Sequence, residues 1–162
     1  QTWMGNLLGS VFVALLYCGG SGSLLPVDSS LVHTVALAKT SQSAMALFFK
    51  GALCNWLVCL AIWMAIRTEG AAKFIAIWWC LLAFIASGYE HSVANMTLFA
   101  LSWFGHHSDA YTLAGIGHNL LWVTLGNTLS GVVFMGLGYW YATPKSERPA
   151  PEKTNETESL AQ

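Results

Sequence analysis

The sequence predicts an all-α protein that spans a membrane. Of its 162 residues, 55% are hydrophobic and only 9% are charged. A soluble domain carries about 25% charged residues, so most of the surface of this chain must face lipid or other apolar groups. Four apolar stretches also reach or approach the ~20 residues that a helix needs to cross ~30 Å of hydrocarbon.

The four predicted spans are residues 3–19, 44–66, 74–103 and 111–142. Between the first two, residues 29–39 have helical spacing and a serine suited to cap a helix, so we expect a short helix over the outer mouth, with a lid as the alternative. Residues 144–162 are polar, charged and proline-containing, which predicts a disordered tail after a membrane region of residues 1–143.

Basic residues in the short loops predict the orientation of the spans. Arg67 and Lys73 lie between the second and third spans, and the tail carries Lys145, Arg148 and Lys153. We therefore expect this loop and the C-terminus to be cytoplasmic. Residues 20–43 and 105–110 should then be periplasmic.

The first and fourth spans resemble each other. Residues 5–11 (GNLLGSV) align without gaps to residues 126–132 (GNTLSGV). Because these spans cross the membrane in opposite directions, the pattern predicts an inverted-topology repeat of three spans, with two further spans before residue 1. The alternative is that small residues recur simply because they let membrane helices pack closely.

The third span is too long for one ordinary crossing, since 30 residues make a helix of roughly 45 Å. Its centre, residues 87–92 (SGYEHS), combines weak helix formers with a carboxylate and an imidazole. Ionised groups at this depth belong in a protein interior or an aqueous cavity. We therefore expect a broken transmembrane helix with its break near residues 87–93. The alternative is a continuous tilted helix with a packed Glu–His pair.

Composition argues against other functional classes. The formal net charge is −1, and the seven Lys and Arg residues form no basic face for nucleic acid. No nucleophile–base pair is apparent, so we expect neither an enzyme nor a cofactor. His106, His107 and His118 lack a standard zinc spacing, so no metal is expected. We expect the four cysteines to be buried and to pack as small hydrophobic residues. They are Cys18, Cys54, Cys59 and Cys80.

Three stretches resemble the formate/nitrite transporter family. They are residues 50–60 (KGALCNWLVCL), 87–96 (SGYEHSVANM) and 118–127 (HNLLWVTLGN). The resemblance covers the chain to about residue 143 and is strongest to the bacterial nitrite channels. It implies an aquaporin-like bundle of six spans, of which this chain holds the third to the sixth, assembled as a homopentamer with one pore per subunit.

The resemblance also implies which residues form the pore. His91 matches the central pore histidine, and Asn55 matches an amide that contacts it. Glu90 and Asn95 match polar positions beside that histidine. Lys39 matches a basic residue at the periplasmic vestibule, where its field would raise the local concentration of anions.

Val58 and Phe84 match apolar constrictions on either side of the central chamber. The implied function is nitrite transport across the bacterial inner membrane in nitrate assimilation. Formate and hydrosulfide channels are the alternatives within the family, and a non-transporting membrane assembly protein is the alternative outside it. His91 would either bind the anion in its protonated form or relay a proton so that the neutral acid crosses, and we favour proton coupling.

Overall fold

The computed structural model describes residues 1–21, 31–105 and 107–144, and the regular elements in these residues are all helices. Three of the helices are long and apolar enough to cross a membrane, and two shorter apolar helices follow one another in the third predicted span. The all-α membrane fold is confirmed. The helices are α1 (Thr2–Ser21), α2 (Leu31–Thr40), α3 (Ala44–Arg67), α4 (Ala71–Ala86), α5 (Ser92–Phe104) and α6 (Leu113–Ala142), the last with a π-helical segment at Ser130–Leu137.

Helix α2 lies where the short mouth helix was predicted, although Ser29 and Ser30, the serines available to cap it, fall outside the described residues. Two other helices begin with a serine or threonine cap. The Ser43 side chain accepts a hydrogen bond from Ala46 N at the start of α3, and Thr112 accepts one from Gly115 N at the start of α6. The predicted tail, apart from residue 144, lies outside the described residues, as does His106.

Helix α3 packs against both α4 and α6, while α1 packs against α5. The α3–α6 contact is close because two glycines face it. A Cβ atom on Gly126 would overlap the carbonyl oxygen of Phe48 and approach Ala52 N to 2.9 Å, and one on Gly51 would lie 2.8 Å from Val123 O. Close packing through a small residue is thus confirmed at Gly126. At Gly5, its partner in the repeat, nothing lies within 4 Å.

The two predicted periplasmic segments meet at one end of the bundle. The His33 ring of α2 lies 2.9 Å from Ser102 Oγ and 3.2 Å from Ser108 Oγ, which ties α2 to the end of α5 and the loop after it. At the other end, Arg67 stacks over Trp63, and Trp63 packs on Tyr139. The Arg67 loop and the end of α6 therefore lie on one side, as the charge pattern requires.

Gly126→Ala should destabilise the protein by about 1–3 kcal/mol, because the added methyl group meets backbone atoms of α3 that cannot turn away. Gly117→Ala is the matched control on the same helix, since nothing lies within 4 Å of its Cβ position. The control should keep or slightly raise stability through its better helix propensity. Tryptophan fluorescence during unfolding in detergent measures both, and equal transition temperatures would contradict the close contact.

Candidate functional site

The predicted break in the third span is confirmed, and glycine geometry explains where α4 stops. Gly88 has φ +63°, in the left-handed region that glycine adopts at little cost. Gly88 N donates to Ile85 O and Tyr89 N to Phe84 O, each at 3.1 Å. This is the hydrogen-bond pattern of a Schellman C-cap. The chain therefore leaves the helix at residue 87 and re-enters one only at Ser92.

His91 is the N-cap of α5. Its backbone is extended, with φ −115° and ψ 119°, and its Nδ1 accepts a hydrogen bond from Ala94 N at 3.4 Å. An accepting Nδ1 leaves the proton of the neutral ring on Nε2. Within the described part of the chain, nothing takes a hydrogen bond from Nε2, and the side chain is only half-buried. The ring can therefore offer an N–H donor to a small molecule.

The two predicted constriction residues lie near this ring to different degrees. The Phe84 ring centroid is 6.2 Å from that of His91, with the planes tilted by 32°. Val58 lies on α3, three residues after Asn55, so these two side chains share a face of the helix. Both Phe84 and Val58 are partly buried. The structure thus brings Phe84 to the imidazole directly and places Val58 one turn beyond Asn55.

Glu90, the neighbour of His91, is 1% exposed and is held by three other parts of the chain. Lys39 Nζ lies 2.8 Å from its Oε2, and Asn95 Nδ2 donates to the same oxygen at 2.6 Å. Gln42 Nε2 donates to Oε1 at 3.2 Å. A buried carboxylate is tolerated when it is paired and hydrogen-bonded in this way. We refer to Glu90, Lys39, Asn95 and Gln42 as the carboxylate cluster.

Further polar residues extend the carboxylate cluster toward α3 and α6. Asn119 on α6 is fully buried, accepts from Asn95 Nδ2 at 2.9 Å and donates to the Lys39 carbonyl at 3.0 Å. Lys50 Nζ donates to Gln42 Oε1 at 2.6 Å, and the His118 ring lies 3.3 Å from the Gln42 carbonyl. The link between α2 and α3 is therefore tied to the break through side chains.

A second asparagine on α6 contacts the break itself. Asn127 Nδ2 donates to Gly51 O at 2.8 Å and to Glu90 O at 3.1 Å, while its Oδ1 accepts from Ser92 N at 3.0 Å. Asn127 is the fifteenth of the 30 residues of α6, so the break lies at the middle of a full span. The depth of the break in the bundle therefore agrees with the mid-membrane position that the sequence predicts for the His91 imidazole.

Two of the predicted site residues make contacts that the sequence did not predict. Lys39 was expected to raise the local concentration of anions through its field, and its ammonium forms an ion pair with the Glu90 carboxylate at 2.8 Å. Asn55 was expected to contact His91, but its Nδ2 donates to the backbone oxygen of Asn127 at 2.6 Å. This hydrogen bond anchors Asn55 to α6 just before the π-helical segment Ser130–Leu137.

Glu90 and Asn95 were expected to face the pore beside His91. Their side chains are 1% and 2% exposed, and Asn95 donates to the Glu90 carboxylate at 2.6 Å. As for metals, the described residues contain no cluster of three or more His, Cys, Asp or Glu side chains that could hold an ion.

Sequence reasoning missed the supporting roles of three polar residues, Gln42, Asn119 and Asn127. A signal for two of them was available. Asn119 and Asn127 lie in an uncharged apolar span, eight residues apart, close to one face of the helix. Intramembrane polar side chains face protein or water by default. Gln42 lies in a short linker, where nothing in the local pattern marks it.

Comparison with known proteins identifies the family of this chain. The family model described as "Formate/nitrite transporter" matches residues 1–141. The chain belongs to the formate/nitrite transporter family.

Relatives in this family include nitrite and formate proteins. The nitrite transporter NirC of Salmonella typhimurium is 87% identical over 99% of this chain, which spans 60% of that protein's length. A solved structure titled "FNT family ion channel" is 90% identical, with a TM-score of 0.85 over 89% of this chain and 58% of its own. A solved "pentameric formate channel with formate bound" is 26% identical, with a TM-score of 0.72 over 86% of this chain and 63% of its own.

Lys39→Met should destabilise the protein by about 3–5 kcal/mol, because it leaves the Glu90 carboxylate buried without its cation. Lys73→Met removes an exposed lysine of the same type and should change stability by less than about 0.5 kcal/mol. Adding Glu90→Gln to Lys39→Met should recover part of the loss, since the uncompensated charge is then gone. Thermal unfolding in detergent reports all three, and equal curves for the two lysine variants would rule out a stabilising ion pair.

Proposed function

We propose that the protein is a channel or transporter that moves nitrite across the bacterial inner membrane, and that His91 meets the anion as it crosses. The supporting observation is the half-buried imidazole at the break in the third span, whose Nε2 is not engaged by the described residues. The 87% identity of this chain to a nitrite transporter supports nitrite as the substrate. Membership of a transporter family supports the expectation that the protein is not an enzyme.

The local chemistry suits a small anion. His91 Nε2–H is a hydrogen-bond donor in the neutral ring, and the protonated ring adds a positive charge. The positive end of the α5 dipole also lies at the break, because α5 begins at Ser92. Phe84 beside the imidazole and Val58 on α3 supply apolar walls that would strip water from an entering ion and disfavour hydrated cations.

Two mechanisms use this arrangement. A protonated His91 would hold the charged anion during its passage. Alternatively, the protonated imidazolium of His91 would give one proton to the anion and return to the neutral ring, so that nitrous acid crosses the apolar region. We favour the second mechanism because an unpaired anion pays a large desolvation penalty between apolar walls.

We further propose a homopentamer in the lipid bilayer of the inner membrane. The pentameric state of the related formate channel supports this assembly. We place the end of the bundle formed by α2 and the loop after α5 in the periplasm. The Arg67 end would then be cytoplasmic, together with the C-terminal tail of residues 144–162, in agreement with the excess of basic residues there.

Replacing His91 by Phe should lower the initial rate of nitrite uptake into proteoliposomes on the order of 100-fold, the typical contribution of a positioned proton-transfer group. The pH response between about pH 5 and 8 should also flatten. His107→Phe is the control, since that histidine stacks on Trp103 near the outer loop. Unchanged flux with an unchanged pH response in His91→Phe would remove this histidine from the mechanism.

Formate transport is the second candidate, favoured by the fold shared with the formate channel. Stopped-flow measurements with nitrite, formate and hydrosulfide on the same proteoliposomes distinguish the candidates. We expect the highest permeability for nitrite, with formate lower by up to about ten-fold, a difference of only ~1.4 kcal/mol in barrier height. A higher rate for formate or hydrosulfide would replace nitrite as the principal substrate.

A further inference from the structure

The carboxamide of Asn127 forms hydrogen bonds to the backbone on both sides of His91, in the break. Its Nδ2 donates to the carbonyl of Glu90 at 3.1 Å, and its Oδ1 accepts from the amide of Ser92 at 3.0 Å. These two backbone groups belong to the residues immediately before and after His91. The side chain is 7% exposed, so water does not compete for these bonds. Asn127 therefore holds the peptide groups on both sides of His91.

We propose that Asn127 is the positioning residue for His91, and this role rests on the function proposed above. The same carboxamide also donates to Gly51 O of α3 at 2.8 Å, so the side chain is fixed between α6 and α3. Its backbone oxygen accepts the amide of Asn55 at 2.6 Å. Two full-length spans and the break thus meet at one residue.

The side-chain chemistry explains why an asparagine is needed. A carboxamide carries two donors and an acceptor on one short, planar group. Gly51 O and Glu90 O use the two donors, and Ser92 N uses the acceptor. Aspartate would keep the acceptor and lose both donors, and leucine would keep the approximate shape and lose all three bonds.

Loss of these bonds should act on the position of the imidazole. Unpaired peptide groups at membrane depth are costly, so the break would shift to find other partners. The His91 backbone would move with it, and the ring would leave its alignment with Phe84, whose centroid is now 6.2 Å away. The Ala94 N–Nδ1 bond that sets the tautomer depends on the same backbone geometry.

The test compares Asn127→Leu and Asn127→Asp with Thr128→Val, which removes a polar group from the exposed neighbouring position. Nitrogen-15 NMR of histidine-labelled protein follows the titration of the His91 ring, whose signal is assigned by its loss in His91→Phe. Nitrite uptake into proteoliposomes is measured on the same preparations across pH. Size-exclusion chromatography selects folded protein, and where Asn127→Leu does not assemble, Asn127→Asp carries the test.

We expect both Asn127 variants to move the midpoint of the His91 titration and to alter the pH profile of uptake. Maximal uptake should fall on the order of ten-fold, the effect of losing one or two buried hydrogen bonds. Thr128→Val should match the wild-type protein. Folded Asn127 variants with an unchanged His91 titration would overturn the proposal.

The two proposals can fail separately. If the Asn127 variants move the His91 titration while neither they nor His91→Phe alter uptake, the positioning role stands and the role of His91 in transport is lost. If His91→Phe abolishes pH-dependent uptake while the Asn127 variants leave both the titration and the uptake profile unchanged, His91 acts in transport and Asn127 does not position it.

Discussion

A carboxylate that is 1% exposed in the middle of an apolar bundle constrains everything around it. Moving such a charge out of water costs several kcal/mol unless a partner charge and hydrogen bonds compensate it. Glu90 receives them from Lys39 on α2, Gln42 in the following linker and Asn95 on α5. Because α2 supplies the cation, this ion pair links α2 directly to the break.

The break is possible because its backbone groups are satisfied from outside the interrupted helix. Gly88 ends α4 with its own local hydrogen bonds, but the residues that follow need partners. Lys50 O accepts from Glu90 N at 3.4 Å, and Asn127 bonds to Glu90 O and Ser92 N. Irregular backbone at membrane depth survives only with such compensation, so α3 and α6 are as necessary to the break as the sequence of the break itself.

Adjacent residues of the break have opposite environments, and this contrast produces the proposed site. His91 is extended, so its side chain and that of Glu90 point to opposite sides of the chain. Glu90 turns into the carboxylate cluster, while His91 remains half-buried with Nε2 not engaged by the described residues. An anchored carboxylate beside a partly free imidazole allows the imidazole to meet a solute without loss of its own support.

The sequence by itself determined the membrane class, the helices and the break, because apolar length, low charge and the run of residues 87–92 are local properties. Resemblance of short stretches then indicated His91 and Phe84, which the structure brings together. Only the tertiary structure decided that Lys39 pairs with Glu90, that Asn55 bonds to α6 and that Asn127 bonds to the backbone of the break. Their partners lie 37 to 72 residues away in the sequence, and contacts over such separations are set by how the helices pack, which no local pattern encodes.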